Sequence, residues 1–142
     1  MTADKMETQP DTLLGKRILL VDDERLVRET VRGLLCLDEH KVVEANNGAE
    51  ALRVFAQGHF DLVLTDLRMP FVEGDELAVK IRELSPQQPI LMITAHPHRP
   101  GRTNPVDAIL YKPFSLGHLR LAVAKLLEKL GDLPDPDLCP RR

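Results

Sequence analysis

No stretch of this chain stays apolar for the roughly 18 residues that a membrane-spanning helix needs, so a soluble chain is expected. Nor does it open like a secreted protein: residues 1–11 are polar and mixed in charge, with no basic segment leading into an apolar run. Cysteine is scarce. Cys36 lies in an apolar helical stretch and Cys139 among prolines, which is no disulfide framework, and Cys36 reads as a small core residue. Together these features predict a cytoplasmic protein. An excess of one charge is missing too, since 19 lysines and arginines face 22 aspartates and glutamates, a formal net charge of -3. Without a domain-wide basic field, a nucleic-acid-binding surface is not expected. No internal repeat occurs.

What is present is a pattern of alternation. At 142 residues, 43% hydrophobic and 29% charged, the chain can bury a single core. Apolar runs at 17–21, 41–45, 61–66, 89–93 and 107–111 alternate with stretches of helical period, the signature of a parallel sheet covered by helices on both faces. The first helix starts near Arg25 and repeats Val27, Val31, Leu34 and Leu35; the second starts at Asn47, an N-cap with Glu50 following, and stops at Gly58. The third runs from Asp75 to Glu83, before Ser85-Pro86. The last begins at Ser115 and buries Leu116, Leu119, Val123, Leu126, Leu127 and Leu130 before Gly131. The fourth gap differs: residues 96–105 carry Pro97, Pro100, Gly101 and Pro105 with no apolar period, so a loop or a single helical turn is expected. The domain is placed at 16–130, with tails at 1–15 and 131–142, the latter holding Pro134, Pro136 and Pro140.

The apolar runs end in reactive side chains. Asp22 and Asp23 close the first, Asp66 the third, Thr94 the fourth and Lys112 the fifth, and in a parallel sheet strand ends of one sense line one edge. Three ionised carboxylates in one pocket repel each other, and a hard dication with oxygen ligands relieves that repulsion. A metal, a lysine and a hydroxyl around one carboxylate are what phosphoryl transfer requires, because the protein mainly positions groups and neutralises charge. Helix capping accounts for any one of these acids. It does not account for the whole set together with the Met69-Pro70 and Gly74 spacing, where Met69 and Gly74 read as packing and backbone residues.

The pieces V-D-D-E at 21–24, L-T-D-L-R-M-P-F-V-E-G at 64–74, I-T-A at 93–95 and Y-K-P-F at 111–114 occur in that order. With them, residues 16–130 resemble the receiver domain of two-component response regulators. The resemblance implies an α/β fold, a flavodoxin-like doubly wound five-stranded parallel sheet of order 2-1-3-4-5, here with the fourth crossover helix shortened or replaced by a loop. It implies that Asp66 is the phosphoacceptor and that Asp22, Asp23, Asp66 and the backbone carbonyl of Arg68 hold Mg2+, Asp23 and Asp66 directly and Asp22 through water. Thr94 would follow the phosphoryl group, Lys112 would contact it, and the Lys112–Pro113 peptide would be cis. The implied partners are a sensor histidine kinase or a histidine phosphotransfer protein, an unspecified downstream protein target, and a second copy of the chain in a homodimer. No DNA-binding domain and no membrane partner is expected. The protein would act as a switch rather than an enzyme, since a phosphoryl group adds charge and acceptor oxygens that remodel nearby loops.

The family's usual aromatic residue, three before the lysine, is here Ile109, and Tyr111 is expected on the opposite face of the strand. Pro105-Val106 stand where the family carries G-A. The readout is therefore expected to be rebuilt, with the 96–105 loop itself as the switch element. His96 and His98 in that loop read as solvated rather than as a metal clip, and Arg99 and Arg102 as solvated rather than as a partner contact. Two alternatives share the same residues: a receiver belonging to a larger hybrid kinase or response regulator, and a degenerate receiver acting without phosphorylation. An Asp-nucleophile phosphatase would place D-x-D after the first strand. A flavin carrier of the same fold would need a Ser/Thr/Gly-rich loop where Asp22-Asp23-Glu24 stands.

Overall fold

Strand residues alternate between two faces, and in this chain both faces are apolar, which calls for helices above and below the sheet. The computed structural model, which describes residues 15–95 and 105–131, has that architecture. The chain runs β1 (Arg17–Val21), α1 (Arg25–Cys36), β2 (Lys41–Ala45), α2 (Gly48–Ala56), β3 (Leu62–Thr65), α3 (Gly74–Leu84), β4 (Ile90–Thr94), β5 (Ala108–Tyr111) and α4 (Leu116–Gly131). All strand pairs are parallel and the sheet order is β2-β1-β3-β4-β5, the 2-1-3-4-5 order expected. On one face Leu19, Val21, Val63, Ile90 and Met92 pack under α2 and α3 through Ala51, Phe55, Leu77, Ala78 and Ile81. On the other, Ile18, Leu20, Leu62, Leu64, Leu91 and Ile93 meet α1 and α4 through Val31, Leu35, Leu119, Val123, Leu126 and Leu127.

Local chemistry sets the element ends. At α2 the Asn47 side chain accepts the Glu50 amide proton at 2.8 Å while the Glu50 carboxylate accepts the Asn46 amide proton at 2.8 Å, a capping box shifted by one residue. Ser115 caps α4 by accepting from the His118 amide at 3.1 Å. Before β5, Asp107 accepts the Ile90 amide at 2.7 Å and the Arg82 guanidinium at 2.6 Å, tying the end of α3 to the edge strand. The expected strand bounds hold within one residue, while α2 ends at Ala56, two residues before the expected Gly58, and α4 runs through Gly131.

Two expectations need correction. Cys36 is exposed, not part of the core: α1 points Val31 and Leu35 inward, and one further residue rotates the chain about 100° to the solvent side. Tyr111 does not take the face opposite Ile109. The two are separated by one residue in β5, so strand alternation gives them the same face, with Ala108 and Leu110 packed on the other. The proposed switch segment lies, for residues 96–104, outside the described residues, as do its histidines and arginines, Cys139, residues 1–14 and 132–142, and the Leu130 side chain.

At the pole away from the acidic strand ends, His40 is buried and its Nδ1 accepts the Lys16 amide proton at 3.0 Å. Burial pushes its imidazole below the usual value, with Lys16 acting the same way and Asp38 and Asp61 opposing. The unfolded chain therefore binds the proton more readily. The contribution is whole above about pH 6.5 and is lost as pH falls through that value toward the lowered folded pKa. Between pH 7.5 and 5.5 the parent is expected to lose about 1 kcal/mol more stability in urea denaturation than His40→Asn, whose amide oxygen can still accept from Lys16. Equal losses would contradict this.

Candidate functional site

The backbone hydrogen bonding of the sheet continues one residue past its strands and aligns the site. The Asp22 amide donates to the Ala45 carbonyl at 3.2 Å, the Asp66 amide to Val21 at 3.0 Å and the Lys112 amide to Thr94 at 2.9 Å. Asp22, Asp66, Thr94 and Lys112 are thus set side by side along one edge. One oxygen from each of Asp22, Asp23 and Asp66 lies within 4.8 Å of the others, and the three together can hold a metal ion. Asp22 and Asp66 are buried while Asp23 is exposed, so the cluster opens to solvent on one side.

The two buried acids are oriented in the same way. Oδ1 of Asp22 accepts the Glu24 amide at 2.8 Å and Oδ1 of Asp66 accepts the Leu67 amide at 2.8 Å. Their Oδ2 atoms turn to the Lys112 ammonium at 3.6 and 3.7 Å, beyond hydrogen-bond length and within ion-pair range. Burial raises the pKa of Asp66, opposed by the lysine and the Leu67 amide and reinforced by Asp23 and Glu24. Burial also raises that of Asp22, opposed by the Glu24 amide and Lys112, and reinforced by Asp66 and Asp23. Among the described residues, the Lys112 ammonium pairs with Asp22 and Asp66 but not with Asp23, so the three carboxylates carry more negative charge than their paired cation offsets. Oxygen donors at this spacing suit a hard dication.

Thr94 ends β4 and is buried beside this edge. Arg68 lies exposed in the loop after β3, and the Lys112–Pro113 peptide is cis. Ile109 is partly buried against the cluster under α2 and α3.

The loop from Asp66 to α3 is held by its backbone. Gly74 donates its amide to the Leu67 carbonyl at 2.8 Å, and a Cβ there would meet the Asp66 carbonyl oxygen at 2.1 Å, which gives the glycine of the 64–74 motif its physical reason. Phe71 was not singled out by the sequence. It is exposed with φ 70, and the Val72 amide reaches back to the Pro70 carbonyl at 2.8 Å, a γ-turn of the strained hand. Phe71→Gly is expected to raise stability by about 0.5–1 kcal/mol, the positive-φ penalty less the entropy glycine gains when unfolded. An unchanged or lower urea midpoint would count against it.

The family model for the response regulator receiver domain matches residues 18–124. The chain belongs to the response regulator receiver family. Response regulator MprA of Mycobacterium sp. strain KMS is 36% identical over 125 residues, covering 85% of this receiver chain and 54% of that protein. MprA of Mycobacterium leprae is 37% identical over 117 residues, covering 80% and 51%. The receiver chain spans about half the length of the curated relatives it matches. Among solved structures, Thermotoga maritima response regulator TrrA in complex with Mg2+-BeF is 36% identical, with 78% of this chain and 98% of that one covered and a TM-score of 0.74. A CheY-like receiver domain protein of Methanospirillum hungatei JF-1 is 26% identical, with 82% and 97% covered and a TM-score of 0.78. Among the described residues of the receiver, no helix is long and apolar enough to cross a membrane.

Proposed function

We propose that this receiver is a phosphoacceptor of a two-component or phosphorelay system, taking a phosphoryl group from a histidine kinase or histidine phosphotransfer protein onto Asp66. The observation that carries the reading is the Asp66 carboxylate, fixed by the Leu67 amide, 3.7 Å from Lys112 and beside the Asp22 and Asp23 carboxylates. An Asp66 oxygen attacks the phosphorus of the donor's phosphohistidine; the new O–P bond forms as the P–N bond breaks, and the imidazole nitrogen leaves with the electron pair. Lys112 offers its ammonium to an equatorial phosphoryl oxygen, and Thr94 offers a hydroxyl from the neighbouring strand end. Asp22, Asp23, Asp66 and the Arg68 carbonyl would hold Mg2+, which when bound neutralises charge on the carboxylates and the phosphoryl oxygens. Support for Mg2+ comes from the oxygen-only donor set and from the Mg2+-BeF complex of TrrA.

The added charge and acceptor oxygens then draw on Thr94 and Lys112 and change what the adjoining surface binds. In this reading the protein is a cytoplasmic switch, not a turnover enzyme. Membership of a longer regulator or hybrid kinase would use the same site, and the length of the matched relatives favours keeping it as the second reading.

Phosphoramidate, whose P–N bond mimics that of phosphohistidine, provides the test. The receiver is expected to form one hydroxylamine-labile acyl phosphate with Mg2+ and none with chelator. No acyl phosphate under either condition would favour a degenerate receiver that works unphosphorylated.

A further inference from the structure

Outside the acids themselves, one side chain grips the segment that carries them. Arg28, on the second turn of α1, donates from its guanidinium to the backbone carbonyl of Asp22 at 2.8 Å. Its Nε donates to Glu44 on β2 at 3.0 Å, and its side chain is only 15% exposed. Arg32, one turn further along α1, reaches the other Glu44 oxygen at 3.5 Å and is half exposed. The Asp22 amide donates to Ala45, the residue after Glu44, so the main chain at Asp22 is held at its amide by β2 and at its carbonyl by an α1 side chain that is itself tied to β2.

We infer that Arg28 is a positioning residue for the cation site, fixing the Asp22–Asp23 turn through its main-chain carbonyl, with Glu44 holding the guanidinium in place. Among the described residues, the Arg28 side chain bonds Glu44 and the Asp22 carbonyl but no carboxylate oxygen of the cluster, so its action runs through the backbone. Groups that orient metal ligands from behind commonly change metal affinity by about 10–100-fold when removed. The direction of the effect separates position from charge. A cation near a cation site repels the incoming ion, so if charge alone mattered, removing Arg28 would tighten Mg2+ binding. Positioning predicts the reverse.

The inference rests on the proposed Mg2+ site, and one titration distinguishes the two. Amide NMR shifts of the full chain are followed against MgCl2 for the parent, Arg28→Gln, Arg28→Lys and Arg32→Gln, with the spectrum itself reporting that each variant is folded. Expected are about tenfold weaker Mg2+ binding in Arg28→Gln, partial recovery in Arg28→Lys, whose single ammonium can still reach the carbonyl, and less than a twofold change in Arg32→Gln. The last removes the same charge from the same helix face without touching Asp22. Equal or tighter binding in Arg28→Gln, or equal weakening in Arg32→Gln, would overturn the positioning role and leave the site reading intact. A parent that shows no Mg2+-dependent shifts would overturn both.

Discussion

Gly74→Ala is expected to cost about 3 kcal/mol of stability and to blunt the site in whatever fraction stays folded. The added Cβ would stand 2.1 Å from the Asp66 carbonyl oxygen, 2.9 Å from the Leu67 Cα and 3.0 Å from the Asp66 carbonyl carbon. All three are backbone atoms, so no side-chain rotation can relieve the contact. The chain must instead push the start of α3 away from Asp66. A cost of this size is a large share of the 5–15 kcal/mol that typically separates folded from unfolded domains. A shift of about 1 Å in a reacting group can cost on the order of 100-fold in rate. Gly33→Ala is the companion, since a Cβ there meets nothing within 4 Å and the position lies inside α1. It should gain up to about 1 kcal/mol from helix propensity alone. Urea denaturation of both variants checks the pair; equal stability of Gly74→Ala and parent would contradict the close-approach argument.

Asp66→Asn is expected to make the metal-free protein more stable while removing the proposed phosphoacceptor. The folded state raises the pKa of Asp66, chiefly by burial, so the native protein holds that proton more firmly than the unfolded chain does. Within the window between the unfolded value near 3.8 and the raised folded value, stability therefore increases as pH falls. Above the window the ionised carboxylate is a standing cost. An uncharged amide of the same shape can still accept from the Leu67 amide, and it removes repulsion from Asp23 and Glu24. The loss of attraction to Lys112 offsets part of the gain. A net gain on the order of 1 kcal/mol, a few degrees in Tm, is expected at pH 7.5 in chelator. Adding Mg2+ should stabilise the parent more than the variant, narrowing or reversing the difference, because a ligand that binds only the folded state stabilises by an amount that grows with the logarithm of its affinity. A variant less stable than the parent in chelator would mean that the pairing with Lys112 outweighs burial.

Much of this was legible in the sequence because each signal was local. Apolar runs of strand length ending in Asp, Asp, Thr and Lys give both the sheet and the edge on which the site lies, and Asn47 with Glu50 marks a helix start within a few residues. What was not legible depends on side-chain contacts with the backbone or with other elements, on a local backbone dihedral, or on helix phase. Arg28 reaches a backbone carbonyl, which leaves no residue-type signature at Asp22. Cys36 sits in an apolar stretch, yet one residue past Leu35 it has turned to solvent. Phe71 looks like an ordinary loop aromatic until its φ of 70 is seen. Asp107 reads as a strand-start acid, although it anchors both Ile90 and Arg82. The face of Tyr111 was a matter of counting: two positions from Ile109 returns to the same side of a strand.

In the proposed reading, Asp66 is the one residue that takes up a phosphoryl group, with the acidic cluster as its cation holder. Intact-mass analysis after incubation with acetyl phosphate and Mg2+ tests it most directly, with peptide mapping after borohydride reduction to locate the acyl phosphate. The predicted result is a single phosphoryl adduct on Asp66, absent in Asp66→Asn and absent in chelator. An adduct that persists in Asp66→Asn, or a parent protein that takes up none, would contradict it.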